Sequence, residues 1–436
     1  MADLSGDRRT WQEEGEAFFE GGKQRVFLVG IEKAGSAWPA ADSLEELAEL
    51  CRTLGAEVAG SAVARRAAAG QMVGEGKLRE FGQEAGELGA PIIVFDTELT
   101  GSQQRKLEAA TGRQVLDRTQ VILDIFAHRA RTREGKLQVE LARLSYLLPR
   151  LAGRWPELSR LGGGIGTRGP GEAKLEVERR RLRRRLGELR REIDQVRRHR
   201  ELLRAGRRAV PFPLLVLIGY TNAGKSTLFN GLTAAAVAVE DRLFATLDPT
   251  TRAVVLPNRQ RVLLTDTVGF IQRLPTQLVA AFRATLEEVR EGDLLLHVID
   301  ASHPRWLEQA ATVKEILAEL GAADRPVLRV LNKTDRVPLD EHHLAALETD
   351  RQAVAVSALT GRGLDRLLEQ VAVELAATRC RLAVSIPYHQ GDLLTLVHDK
   401  GQVLREDYGE ESVAVEVEIE SVWAERVKRR LREVPG

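Results

Sequence analysis

A chain of 436 residues, 43% hydrophobic and 29% charged, is long enough for two to four domains with cores of their own. No run of eighteen apolar residues occurs, and Met1 to Gly22 is polar and acidic without the basic-then-apolar order of a secretion signal, so a membrane span and export are not expected. The formal charge of +1 hides a strong asymmetry: Lys174 to Arg208 carries fifteen Lys/Arg against six Asp/Glu, a local +9 that leaves −8 for the rest.

Residues 1–22 read as a polar tail, and residues 23–117 as a small α/β domain with a mainly parallel sheet. Val26 to Val29 is strand-like, and a Ser43-Leu44-Glu45-Glu46 capping box opens a helix faced by Leu44, Leu47, Ala48, Cys51 and Leu54 and closed by Gly55. A helix around Gly76 to Phe81, the buried-strand run Ile92 to Phe95, a helix from Ser102 to Ala110 and a strand at Gln114 to Leu116 continue the alternation. Gly74-Glu75-Gly76-Lys77 is a fragment of a phosphate loop. Cys51 and Cys380 fall in different domains without paired spacing, so neither a disulfide nor a zinc site is expected, and the eight histidines form no metal-ligand cluster.

Residues 118–208 are expected to form an antiparallel helical hairpin. Leu137, Leu141, Leu144, Leu148 and Leu151 repeat at four-three spacing, and Leu175, Leu182, Leu186, Leu189, Ile193, Val196 and Leu203 keep the same seam. The connection, 161–172, holds Gly162, Gly163, Gly164, Ile165, Gly166, Thr167, Arg168, Gly169 and Gly171. A glycine-rich, basic tip on a stiff hairpin suits close approach to phosphates and 2′-hydroxyls of structured RNA. Gly163 to Gly169, with Arg180 and Arg184 of the basic helix, are the expected RNA contacts.

After the breaker at Ala205 to Pro213, residues 209–378 read as a nucleotide domain with strands at Leu214 to Ile218, Arg252 to Leu256, Arg261 to Leu264, Leu294 to Ile299, Val327 to Leu331 and Val354 to Val356. Gly219-Tyr220-Thr221-Asn222-Ala223-Gly224-Lys225-Ser226 is a P-loop: its glycines turn backbone N–H groups toward an anion at the N-terminus of a helix that opens with Thr227. Lys225 reaches the β- and γ-phosphates, and the Ser226 hydroxyl is a ligand for Mg²⁺. Phe244-Ala245-Thr246-Leu247-Asp248 lies in the first switch, with Thr246, Thr250 and Thr251 as rival sources of a second hydroxyl. Asp266-Thr267-Val268-Gly269 is the second switch, Asp266 reaching Mg²⁺ through water and the Gly269 N–H reading the γ-phosphate. Asn332-Lys333-Thr334-Asp335 sits where an open sheet places ligand contacts, and the Asp335 carboxylate can accept from two guanine donors. Ser357-Ala358-Leu359 closes over the base. Lys225, Thr246, Asp266 and Gly269 are the expected catalytic set.

These motifs, together with the Gly-Gly-Gly-Ile-Gly-Thr-Arg-Gly-Pro-Gly-Glu loop and the basic hairpin, resemble the HflX family over residues 25–436. The resemblance implies a GTPase that uses GTP and Mg²⁺, binds the large ribosomal subunit and its RNA, is stimulated by it, and helps dissociate stalled or idle ribosomes under stress. It implies a cytoplasmic, partly ribosome-associated protein, and it favours Thr246 over its rivals. No surface in the sequence demands a dimer, so a monomer is expected.

Phe270 stands where many related GTPases carry a glutamine that orients water, so slow intrinsic hydrolysis is expected, with the missing group coming from an ordered switch, from Gln272 or from the ribosome. Residues 379–436, with a helix at Gly391 to Val397 and alternation from Val413 to Ile419, read as a small α+β domain. Two other readings fit parts of the sequence: an RNA-remodelling ATPase using a second nucleotide site at Gly74 to Lys77, and a GTP-dependent ribosome assembly scaffold.

Overall fold

The computed structural model describes residues 24–32, 38–65, 72–150, 170–207, 212–233, 243–244, 249–273, 275, 278, 288–337 and 353–432. The chain forms two compact units. One comprises residues up to 194 together with 240–248 and 273–283; the other comprises 195–239, 249–272 and 284–436.

The first unit is built on a four-stranded, wholly parallel sheet of β1 (Arg25–Glu32), β2 (Glu57–Arg65), β3 (Ile92–Phe95) and β4 (Gln114–Asp117), in the order β2-β1-β3-β4. Helices α1 (Ala40–Thr53), α2 (Glu75–Glu87) and α3 (Gly101–Thr111) make the crossovers. β3 is buried at all four residues, as a central parallel strand covered on both faces must be. Phe27, Phe81, Ile93, Phe95 and Val115 centre the core beneath it.

The expected capping box at Ser43 is not formed. α1 starts three residues earlier, after Pro39, and the Ser43 hydroxyl bonds Asp96 instead. The capping box that does form, Thr100 with Gln103, opens α3, and Gly112 closes that helix in the left-handed conformation at φ +65°. β2 was absent from the expected elements. Its exposed and half-buried residues belong to an edge strand and give no clear alternation.

Two helices, α4 (Arg118–Arg129) and α5 (Arg133–Leu147), follow, and then α6 (Pro170–Arg207). α4 buries every residue from Arg118 to Phe126, so it has no amphipathic period to read. The face that α5 buries also differs from the expected seam. Leu137 is buried, but Val139, Ala142 and Tyr146 join it, while Leu141, Leu144 and Leu148 are half-buried. On α6, Leu182, Leu186, Leu189 and Ile193 are buried at the expected spacing. Arg185 grips Glu140 of α5 through two bonds of 2.8 and 3.0 Å. Leu151 lies outside the described residues.

The second unit contains a six-stranded sheet in the order β10-β9-β8-β5-β7-β6. Its strands are β5 (Leu214–Gly219), β6 (Thr250–Val255), β7 (Arg261–Asp266), β8 (Leu294–Asp300), β9 (Val327–Asn332) and β10 (Ala353–Ala355). Only β6 runs antiparallel, against β7. Helices α7 (Lys225–Thr233), α8 (Trp306–Glu319) and α9 (Leu364–Thr378) belong to this sheet. The consequence for function is that the carboxyl ends of β5, β7, β8 and β9 lie on one edge, carrying Gly219, Asp266, Asp300 and Asn332 respectively. The same unit ends in an antiparallel sheet of β11 (Arg379–Pro387), β13 (Ser412–Glu420) and β12 (Gly401–Tyr408), with α10 (Gly391–Lys400) and α11 (Ser421–Arg432). Val413, Val415, Val417 and Ile419 fill its core at period two.

Candidate active site

β5 leaves the sheet at Gly219, where φ is +148° and a Cβ would stand 2.2 Å from the Val298 carbonyl oxygen. The loop turns back through two left-handed residues, Asn222 (φ +59°) and Gly224 (φ +91°), and enters α7 at Lys225. A Cβ on Gly224 would meet Asn332 Nδ2 at 2.3 Å. Both glycines are therefore demanded by close approach as well as by torsion.

Inside this loop Lys225 Nζ donates to the Gly219 and Tyr220 carbonyls at 3.1 and 2.8 Å. The lysine is buried, and desolvation lowers its pKa to about 8 although Asp266 pulls the other way. Next to it, Ser226 Oγ donates to Asp266 Oδ2 at 2.7 Å.

The second-switch motif is fastened to the loop. Phe270 N–H donates to the Gly219 carbonyl at 3.0 Å, Thr221 N–H donates to the Phe270 carbonyl at 2.7 Å, and Gln272 N–H donates to Tyr220 Oη at 2.9 Å. Thr267 Oγ1 donates to the Leu217 carbonyl at 2.6 Å. A Cβ on Gly269 would lie 2.9 Å from Lys225 Nζ and from Thr221 Cα, so the glycine lets the motif approach the phosphate loop. The Phe270 and Gln272 side chains are both buried.

Of the rival threonines, Thr251 Oγ1 pairs across the β6–β7 ladder with Thr265 Oγ1 at 2.8 Å, which commits it away from a metal. Thr250 heads β6 opposite Asp266. Ala245, Thr246, Leu247 and Asp248 lie outside the described residues. Phe244, in the left-handed region at φ +56°, is buried with its ring against Phe126 of α4, centroids 4.7 Å apart.

At the carboxyl end of β9, Asn332 is buried and acts as a staple. Its Nδ2 donates to the Ala223 carbonyl at 2.9 Å, and its Oδ1 accepts from Ala358 N–H at 2.9 Å. The Ala358 N–H, within the Ser357-Ala358-Leu359 stretch expected over the base, is thus used to fix the loop. Asp335 is exposed and accepts from Ser357 Oγ at 2.6 Å, a bond that holds its carboxyl below the usual range. Thr334 is buried, and Leu359 is exposed. Lys333, left-handed at φ +63°, donates to Asp300 Oδ2 at 2.7 Å, and Ser302 N–H and Oγ donate to Asp300 Oδ1. Sequence reasoning missed Asp300. Its place at the carboxyl end of β8 was the available signal.

His297 of β8 is buried beside this site, and desolvation, with Lys225 and Arg329, lowers its pKa to about 4. An unfolded histidine titrates near 6.5, so between pH 6.5 and 4 the unfolded chain binds a proton that the native one does not. Stability is expected to fall as pH drops through that window, by up to about 3 kcal/mol from this residue. Urea midpoints from pH 7 to 4.5 should show a shallower fall in His297→Gln than in the parent chain; parallel curves would exclude the histidine as the cause.

Elsewhere, Arg180 and Arg184 are exposed on α6, while Gly163 to Gly169 lie outside the described residues. The Gly74 to Lys77 fragment forms only the start of α2. Lys77 pairs with Glu80 and lies over the Phe81 ring, so the fragment's one cation is already engaged.

A phosphate loop between β5 and α7, with Asp-Xaa-Xaa-Gly and Asn-Lys-Xaa-Asp at neighbouring strand ends, defines a Ras-like P-loop GTPase domain. Family models match along the chain: a GTP-binding GTPase N-terminal model at residues 41–127, a GTP-binding GTPase middle region at 129–207, a 50S ribosome-binding GTPase at 214–333 and an HflX C-terminal domain at 344–436. The GTPase HflX of Caldanaerobacter subterraneus is 44% identical over 94% of this chain and 93% of its own. That of Lacrimispora saccharolytica is 46% identical over 92% and 94%. The solved complex of SsGBP with GDP aligns to 81% of this chain and 99% of its own, at 24% identity and a TM-score of 0.45. The chain belongs to the HflX family of GTPases.

Proposed function

We propose that this GTPase binds the large ribosomal subunit, is stimulated by it and helps to dissociate stalled or idle ribosomes under stress. The observation that carries the reading is the match of residues 214–333 to a 50S ribosome-binding GTPase, joined to a local charge of +9 over the segment that forms most of α6. A cationic helix supplies the phosphate attraction that any RNA-bound partner requires. Arg180 and Arg184 face solvent, where they are free to make it.

In this reading Lys225 neutralises charge on the β- and γ-phosphates, and the Gly269 N–H reports the γ-phosphate. Asp335 selects guanine, and Asn332 and Lys333 shape the base pocket. The Ser226 hydroxyl, with the Asp266 carboxylate 2.7 Å away to reach the ion through water, suits a hard divalent ion, and Thr246 is assigned as the second protein ligand. When bound, Mg²⁺ supplies charge compensation at the phosphates. The buried, apolar Phe270 ring cannot orient water, so hydrolysis by the isolated chain is slow.

The test is steady-state GTP hydrolysis with and without purified large subunits. At least about tenfold stimulation is expected, weakening steeply with salt and lost when 162–171 is shortened or when Arg180 and Arg184 are both replaced by Glu. Equal rates with and without subunits would reject the ribosomal reading.

A further inference from the structure

Several hydroxyls around the phosphate loop are committed to protein partners. Ser226 Oγ donates to Asp266, Thr267 Oγ1 donates to the Leu217 carbonyl, Thr251 pairs with Thr265, and Tyr220 Oη accepts from Gln272 N–H. Thr221, the third residue of the loop, differs. It is 6% exposed, its Oγ1 is buried, and among the described residues that oxygen has no hydrogen-bond partner. A buried hydroxyl left unpaired is a cost to the fold that an apolar side chain of the same shape would not carry.

The surroundings of this side chain define what it can serve. A Cβ on Gly269 would meet Thr221 Cα at 2.9 Å, Thr221 Cγ2 at 3.0 Å and Lys225 Nζ at 2.9 Å, so the threonine side chain, the second-switch glycine and the lysine ammonium meet at one place. In the proposed reading that glycine and that lysine serve the γ-phosphate, which puts the Thr221 side chain beside the reacting group. The threonine is also fixed there. Its N–H donates to the Phe270 carbonyl at 2.7 Å, the carbonyl of Tyr220 before it accepts from Lys225 Nζ at 2.8 Å, and Asn222 after it turns the chain at φ +59°. A β-branched side chain is stiff at χ1, so a fixed backbone also fixes the hydroxyl. Phe270 brings no polar atom to this place, and the Gln272 side chain is buried. The Thr221 hydroxyl offers what Phe270 lacks, a donor and two acceptor lone pairs on one atom.

We propose that Thr221 is a catalytic residue of GTP hydrolysis, its Oγ1 accepting a hydrogen bond from the attacking water while donating one to a γ-phosphate oxygen. The water oxygen forms its bond to the γ-phosphorus as the bond from that phosphorus to the β–γ bridging oxygen breaks, and the electron pair leaves with GDP. The water proton ends on the released phosphate, and the threonine keeps its own. A neutral hydroxyl orients water without removing its proton, which accords with the slow hydrolysis expected of the isolated chain. The proposal rests on the family's GTPase activity and on the reading that Lys225 and Gly269 face the γ-phosphate.

Thr221→Val in the full-length chain keeps the branched shape and removes the hydroxyl, whereas Thr221→Ser keeps the hydroxyl. Single-turnover hydrolysis without ribosomes is expected to slow about ten- to thirtyfold in the Val variant and less than about threefold in the Ser variant, with Kd for GDP in both within about twofold of the parent. The nucleotide-free Val variant should melt at or above the temperature of the parent, because it sheds a buried unpaired hydroxyl. A threonine with only a structural role would lose stability and GDP affinity together with rate. An unchanged rate in folded Thr221→Val overturns the proposal, as does an equal loss in the Ser and Val variants, or a slowed Val variant that also melts lower and binds GDP more weakly. Lys225→Ala run in parallel separates the two levels: if it hydrolyses GTP like the parent, the phosphate-site reading fails, and if it is inactive while Thr221→Val is unaffected, only the threonine is excluded.

Discussion

Lys225→Ala is expected to lower kcat/KM for GTP by about a thousandfold while leaving the nucleotide-free protein close to its original stability. In the proposed reading the two effects separate because the lysine would serve phosphate at a cost to the fold. Its pKa falls from 10.5 to about 8 on burial. Between pH 8 and 10.5 the unfolded chain holds a proton that the native one has lost, so this group adds stability only as pH rises through that window. At pH 7 its buried charge is unfavourable by about 3 kcal/mol. Alanine removes that cost and also removes two hydrogen bonds worth about 1 kcal/mol each, so the terms largely cancel. Against a phosphate, by contrast, loss of a preorganised buried cation costs about 4 kcal/mol in the transition state. Urea unfolding at pH 7.5 and single-turnover hydrolysis measure the two halves. A variant that lost stability in proportion to its activity would make Lys225 a structural residue.

Asp335→Asn should change which base is bound. The carboxylate accepts from Ser357 Oγ, which keeps it ionised and acceptor-only at working pH. An ionised carboxylate meets the N1–H and the 2-amino group of guanine together. An amide offers one acceptor and one donor, which matches a base whose second position is a carbonyl. GTP affinity is expected to drop by about a hundredfold or more while xanthosine triphosphate gains by a similar factor. Competition binding with GTP, XTP and ATP reads this directly. Unchanged GTP affinity would remove Asp335 from base recognition.

The contiguous motifs were legible because their chemistry is local. A glycine turn ahead of a helix start, and short motifs at strand ends, are written in adjacent letters. What escaped was written in register and in long-range pairing. Thr251 is a rival metal ligand on chemistry alone, and only its antiparallel register against β7 commits it to Thr265. Asp96 accepts a hydrogen bond from Arg273, 177 residues away, and nothing in either neighbourhood announces the other. Ser43 has the spacing of a capping box with Glu46, yet both residues serve a buried cluster, Ser43 on Asp96 and Glu46 on Arg118. α4 was hidden for a different reason: nine successive residues are buried, the polar Arg118, Thr119, Gln120 and Asp124 among them, with Arg118 held by Asp96 and Glu46 and Asp124 by Arg143, so no periodic face is left.

The Asn332 staple has a consequence for how this pocket could be re-engineered or could drift. One side chain joins Ala223 of the phosphate loop to Ala358 of the base loop, across 109 and 26 residues of chain. In the proposed reading any substitution there perturbs both ends of the nucleotide site at once, so selection cannot tune them separately through that position. Asp335 stands at the exposed rim with Ser357 as its side-chain hydrogen-bond partner, and it can be exchanged without disturbing the phosphate end. The pocket thus divides into a joint that resists variation and a rim that tolerates it, and new base preferences would have to enter through the rim.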